Sequence, residues 1–228
     1  MLKAAIFDID GTLIDSVDYH AEAWQRAFHI FGHHDVRFDE VRSQIGKGSD
    51  QLLPVFLSRE EIEAFGSEIE EYRSELFRRE YLYRIQPFPG VRELFLRLKN
   101  DGFRLALASS SNKEDLEVYK RIANIDDLLD ADTSADDAER SKPHPDIFEA
   151  ALARLGNIRS NESVVVGDTP YDAQAARALE IEQIIGVSCG GFPAADLRGA
   201  GCTQIFRDPA ELLENFAQSA FAQKPKAA

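Results

Sequence analysis

Residues Lys3 to Ile9 form a near-continuous apolar run that leads into two aspartates, Asp8 and Asp10, and a glycine, Gly11. Such a run is stable only where water is kept from both faces, so it reads as a strand inside a parallel sheet with helices on either side. Two similar runs follow much later, Phe103 to Ala108 and Ser163 to Gly167, and a weaker one spans Ile181 to Val187. Helical periods separate them. Val91, Leu94, Phe95 and Leu98 share one face before Gly102, and Ile147, Phe148, Ala151, Leu152 and Leu155 share another between Pro145 and Gly156. Strand and helix in alternation predict an α/β fold built on a doubly wound parallel sheet.

Residues 17 to about 83 break the alternation. His20, Trp24, Ala27 and Phe31 lie on one helical face, and Ile62, Phe65, Ile69, Tyr72 and Leu76 step by three and four through a charged background. The segment Arg59 to Arg84 reads as a helix with a wetted face, and the whole stretch as a helical insertion of about 65 residues. Pro87, Pro89 and Gly90 end it, because none of the three continues a helix. The expected division is a catalytic core of residues 1–16 and 89–228 and a helical cap of residues 17–88. Spliced after the first strand, the cap would stand over the carboxyl edge of the sheet, where open α/β sheets bind ligands.

Composition limits the partners. The chain of 228 residues carries 26 basic and 40 acidic side chains, a net charge of −14, so it repels nucleic acid and anionic lipid. No apolar run approaches the ~18 residues of a membrane helix. The two cysteines, Cys189 and Cys202, make neither a disulfide scaffold nor a metal spacing, and His33 and His34 lack further ligands. A cytoplasmic protein with no membrane or nucleic-acid partner is expected. The tail from Gln218 is expected to fray.

At strand spacing Asp8 and Asp10 point the same way, and two carboxylates held close repel unless a cation or a proton intervenes. The stretch Phe7-Asp8-Ile9-Asp10-Gly11-Thr12-Leu13-Ile14-Asp15-Ser16 resembles the signature of the haloacid dehalogenase superfamily in its phosphatase form. Three further stretches resemble the superfamily's later motifs: Leu105 to Ser110, Ser141 to Phe148 around Lys142, and Val164 to Asp172 with Gly167-Asp168. The resemblance implies the superfamily's Rossmann-like core with a first-class cap and the residue roles that follow.

Phosphoryl transfer needs a nucleophile, charge neutralisation and proton handling at the leaving oxygen. Asp8 is the implied nucleophile, forming an aspartyl-phosphate, and Asp10 the general acid and base. Asp8, Asp168 and Asp10 (the last through its main-chain carbonyl) are the implied Mg²⁺ ligands, with Asp172 orienting them. Gly11, Thr12, the Ser109 hydroxyl and the Ser110 amide are assigned to the phosphate, and Lys142 to charge compensation. Ser111 is expected to cap the helix from Asn112.

Asp10 excludes the dehalogenase branch, which lacks this carboxylate. Asp18 to Trp24, with His20, is similar to the start of the β-phosphoglucomutase cap helix. Gly46 to Leu52, with Lys47, is similar to the cap loop of phosphoglycolate phosphatase-like members, and Thr12 also favours a phosphatase. His20 and Lys47 are therefore candidate substrate contacts, against plain packing for His20 and a solvated loop for Lys47. The expectation is a Mg²⁺-dependent phosphatase of a small phosphorylated metabolite. A sugar phosphomutase and a silent binding protein of the same fold are the rivals. Either a monomer or a homodimer fits.

Overall fold

Ala4, Ala5, Ile6 and Phe7 are all fully buried, and the alternation of side chains sends Ala5 and Phe7 into one apolar cluster and Ala4 and Ile6 into another. That double burial places the first strand at the centre of the sheet. In the computed structural model, which describes residues 1–156 and 158–223, the strands are β1 (Ala4–Phe7), β2 (Arg104–Ala108), β3 (Ala131–Thr133), β4 (Ser163–Gly167), β5 (Gln183–Val187) and β6 (Gln204–Phe206). All pairings are parallel, in the order β3-β2-β1-β4-β5-β6, with Phe7 opposite both Leu107 and Val166. The order reverses direction between β1 and β4, which is where an open sheet of this kind leaves a crevice.

Four helices, α1 (Val17–Ile30), α2 (Phe38–Arg42), α3 (Ser49–Phe56) and α4 (Arg59–Glu80), follow β1. After them come α5 (Val91–Asn100), α6 (Lys113–Ala123), α7 (Asp146–Arg154), α8 (Pro170–Ala178), α9 (Ala194–Ala200) and α10 (Pro209–Glu214). Leu94, Leu116 and Leu212 bring α5, α6 and α10 to one face of the sheet; Phe148, Ala173 and Leu197 bring α7, α8 and α9 to the other. The fold is the expected doubly wound α/β architecture.

No strand interrupts residues 17–84. Val17, Trp24, Phe28, Val41, Leu52 and Ile69 form a third apolar cluster there. Helix α4 spans two clusters, since Ile69 belongs to this one while Leu76 and Phe77 join the sheet core. Ser58 and Glu61 cap each other at its start, and the chain leaves helical geometry at Phe65 (φ −151°). The two connections between this segment and the sheet run side by side: Asp15 N–H donates to Gln86 O (2.9 Å) and Phe88 N–H to Leu13 O (2.9 Å).

Three expectations are corrected. Six strands are present rather than four, β3 and β6 being three-residue strands at the two edges. Strand β1 stops at Phe7, so the alternation does not reach Asp8 and Asp10; Ile9 O instead accepts the amides of Thr12, Leu13 and Ile14 at 3.2, 2.8 and 3.1 Å, a tight turn. The tail does not fray at Gln218, because Phe221 is fully buried against Phe7, Phe103 and Phe216; residues 224–228 of that expectation lie outside the described residues. Among the described residues no helix is long and apolar enough to cross a membrane.

Truncating Phe221 to Ala is expected to cost about 3–5 kcal/mol of stability, the usual loss for a buried phenylalanine. A urea midpoint equal to that of the wild type would show the tail to be dispensable.

Candidate active site

Asp8 follows β1, Ser109 follows β2 and Asp168 follows β4, and since these strands are neighbours the three residues meet at one edge of the sheet. The turn after β1 depends on Gly11, whose φ of +80° favours glycine and whose Cβ would strike the Asp168 carboxylate and Val17. Gly190, after β5, meets the other side of Asp168, and a Cβ there would overlap the carboxylate. Gly167 leaves room in the same way for the side chain of Asp172.

Carboxylate oxygens of Asp8, Asp168 and Asp172 all lie within 4.8 Å of one another, and all three residues are buried. Lys142, fully buried, sets its ammonium 2.5 Å from Asp8 Oδ1, 2.8 Å from Asp172 Oδ1 and 2.8 Å from Ala108 O. The Thr12 hydroxyl sits between Asp8 Oδ2 (3.1 Å) and Asp168 Oδ1 (2.8 Å). Asp168 Oδ2 is buried and has no hydrogen-bond partner. An oxygen-only cluster with a buried acceptor left over suits a hard divalent cation such as Mg²⁺.

Burial raises the Asp8 carboxyl to about 7, with Lys142 opposing and Asp172 and Asp10 adding to the rise. Burial, with Asp8 and Asp172 beside it, pushes Asp168 well above the usual carboxylate range. Lys142 moves the other way: burial would lower it, but Asp172 and Asp8 hold it above the ordinary lysine value.

The Asp10 carboxylate is not part of this trio. It receives Ser16 Oγ (2.6 Å) and His20 Nε2 (2.9 Å) on Oδ1 and Ser111 Oγ (2.9 Å) on Oδ2. Burial alone would raise its pKa, yet the charge and hydrogen bond of His20, with the two serines, lower it. His20 lies face to face with Phe77 (centroids 4.0 Å, 3°), and its Nδ1 is 2.9 Å from Arg73 Nη2. Arginine only donates, so Nδ1 accepts and the ring proton sits on Nε2, facing Asp10. Burial lowers the His20 pKa in spite of Asp10. His20 thus packs as an apolar-face residue and also orients Asp10.

The remaining candidates divide. Ser109 is fully buried and its Oγ accepts the Ser111 amide (3.0 Å); Ser110 Oγ donates to Gly46 O (3.1 Å), which leaves the Ser110 amide as its means of reaching a phosphate. The expected cap is corrected, since Asn112 rather than Ser111 accepts the Asp115 amide at the start of α6. Lys47 stands away from the carboxylates, on Gln44 Oε1 (2.6 Å) and 4.7 Å from the centroid of the Tyr171 ring. Arg73 was hidden in a helix read as wetted, but it turns inward over Trp24 and reaches His20.

Residues 42–50 dock on the loops that carry the site. Arg42 donates to Gly190 O (3.2 Å), Tyr171 OH to Ser43 O (2.6 Å) and Gly48 N–H to Ser141 Oγ (2.9 Å), while Asp50 binds the Ser141 hydroxyl. Each core partner lies within two residues of Asp168, Asp172 or Lys142, or packs directly on one of them. Ser16, Ser111, Arg42, Arg73 and Gly190 also build the site although the sequence assigns them no role in it, and of these only Ser16, at the end of the first motif, carries a local signal.

Residues 2–180 match the haloacid dehalogenase-like hydrolase family. The chain belongs to that family. Among relatives of this hydrolase, a phosphorylated carbohydrates phosphatase from Thermotoga maritima is 29% identical, covering 93% of this chain and 97% of its own. The β-phosphoglucomutase of Bacillus subtilis is 34% identical over 68% of this chain and 70% of its own. A hydrolase from Pseudomonas syringae has a TM-score of 0.87 at 25% identity, covering 96% of this chain and 99% of that one. The haloacid dehalogenase-like hydrolase described here is of the phosphatase type.

Two outcomes follow from the crowded acids of this hydrolase. Gly190→Ala is expected to abolish stabilisation by Mg²⁺ in thermal unfolding, whereas Gly199→Ala, with nothing within 4 Å of the added carbon, leaves it intact. The raised carboxyls bind protons more tightly folded than unfolded, so without metal their contribution destabilises the fold as pH rises from about 4 through about 7. The Mg²⁺-induced rise in Tm is therefore expected to be larger at pH 8 than at pH 5, and equal increments would contradict the crowding argument.

Proposed function

We propose that this protein is a Mg²⁺-dependent phosphatase that hydrolyses a small phosphorylated metabolite through an aspartyl-phosphate on Asp8. The observation that carries the reading is Asp8 itself, a buried carboxylate flanked by Lys142 and by the unpartnered oxygen of Asp168 at the floor of a cavity. Asp8, Asp168 and the Asp10 carbonyl would hold the metal, with Asp172 beside them, and the cation supplies positive charge opposite the phosphoryl oxygens.

The rest is work for the chain's own groups. An Asp8 oxygen attacks phosphorus, the ester P–O bond breaks, and Asp10 gives a proton to the departing alkoxide. Asp10 then takes a proton from water as that water attacks the acyl phosphate, which releases inorganic phosphate and restores Asp8. Lys142 balances the charge that Asp8 and Asp172 concentrate. Ser110 lines the same cavity, and its amide is available to the phosphate. Residues 17–88 act as a cap over a core of 1–16 and 89–228, with the paired connections at 13–15 and 86–88 as its hinge, and closure removes bulk water before transfer.

One observation favours a second reading. The His20–Asp10 contact at 2.9 Å, on a segment similar to the β-phosphoglucomutase cap helix, suits a mutase. A mutase moves label between hydroxyls of one sugar and needs a bisphosphate activator, which an isotope-transfer assay separates from hydrolysis. A silent binding protein would have no use for buried charges that repel when unpaired.

Asp8→Asn is expected to abolish Mg²⁺-dependent release of phosphate from an aryl phosphate. Asp10→Asn is expected to slow turnover by about 10²–10⁴-fold, the usual share of general acid–base catalysis. Near-wild-type rates in Asp8→Asn would remove the nucleophile.

A further inference from the structure

The cavity above Asp8 and Asp10 measures about 310 Å³, room for a phosphoryl group and a small alcohol. Four carboxylates line it away from the metal cluster: Asp50, Glu70, Asp136 and Glu139. Their partners are uncharged. Asp50 accepts from the Ser141 amide (3.1 Å), Glu70 from Ser49 Oγ (2.8 Å) and Asp136 from the Lys113 amide (3.3 Å). Among the described residues none of the four is ion-paired, although acids elsewhere on the chain commonly are; Asp115, in the same wall, has Arg78 Nε at 2.8 Å.

The cavity also meets two cations, Lys47 and Arg73, whose partners are likewise uncharged. Lys47 is held by Gln44 and Tyr171, and burial lowers its pKa. Arg73 reaches His20 through Nη2 and lies with its guanidinium carbon 5.0 Å from the centroid of the Trp24 ring, while its buried Nε has no hydrogen-bond partner. Four carboxylates against two cations leave the surroundings of the leaving group with an excess of negative charge and of hydrogen-bond acceptors.

From this we infer that the enzyme selects phosphate monoesters whose alcohol bears hydroxyl groups and no second anionic group. The inference rests on the phosphatase reading above and narrows its substrate. Hydroxyls donate to carboxylate oxygens, whereas a carboxylate or a second phosphate on the leaving group meets like charge. Discrimination is electrostatic, so it weakens with salt.

The test compares kcat/KM with Mg²⁺ for glycerol phosphate, phosphoglycolate, pyrophosphate and an uncharged aryl phosphate, in the wild type and in the double variant Glu70→Gln, Glu139→Gln. In the wild type, glycerol phosphate is expected to exceed both phosphoglycolate and pyrophosphate by about tenfold at low salt, the size that a few like charges at several ångströms produce. The double variant is expected to narrow that gap several-fold. Phosphoglycolate or pyrophosphate turned over as well as glycerol phosphate would overturn the inference while the phosphatase reading stands, and so would a gap that the double variant leaves untouched. No phosphate released from any of the four would instead strike down hydrolysis itself, and this inference with it.

Discussion

Three buried carboxylates, Asp8, Asp168 and Asp172, share one buried ammonium, that of Lys142. With all four ionised, the group holds two negative charges more than it balances, and such an excess is costly where water cannot reach. A divalent cation removes the excess; so, in part, do the protons that burial encourages on Asp8 and Asp168. The surrounding architecture holds these mutually repelling groups in place. Gly11 and Gly190 give up side chains so that the Asp168 carboxylate fits between them, and Thr12 bridges Asp168 to Asp8.

The sheet provides the convergence. Residues 8, 109 and 168 are far apart along the chain, yet they end three adjacent strands, β1, β2 and β4. Parallel pairing puts every carboxyl end on one side, and the reversal of strand order between β1 and β4 opens the crevice there. The helical segment then meets that edge through residues 42–50, whose contacts fall beside Lys142, Asp168 and Asp172. This segment and the charged cluster are therefore in mechanical contact. The same segment brings Asp50 to the cavity wall, so the surface that docks also adds charge to the cavity.

Legibility in the sequence tracked how much of an element's stability is local. The runs at Ala4–Phe7, Arg104–Ala108 and Ser163–Gly167 are buried on both faces and show it in their composition. The edge strands Ala131–Thr133 and Gln204–Phe206 are three residues long and mostly half-buried, so no periodicity betrays them. Phe221 sits in an Ala/Gln/Lys tail whose composition suggests fraying, but aromatic neighbours from β1, from the approach to β2 and from its own turn bury it. Ser111 precedes a helix and looks like a cap, yet Asn112 has the extended backbone (φ −66°, ψ 165°) and the side-chain acceptor that a cap requires.

By itself, the sequence determined the residue types at the ends of the central strands, the alternation that makes the sheet parallel, and the interruption by helices; these are properties of short stretches, set by burial and by backbone preference. Tertiary structure alone decided which atoms the acids touch. It put the Asp10 carboxylate with Ser16, His20 and Ser111 instead of with Asp8, drew Arg73 inward from a charged helix, and left one oxygen of Asp168 without a partner. Hydrogen bonds and ion pairs act over about 3 Å, and distances on that scale between residues a hundred positions apart exist only once the chain has folded.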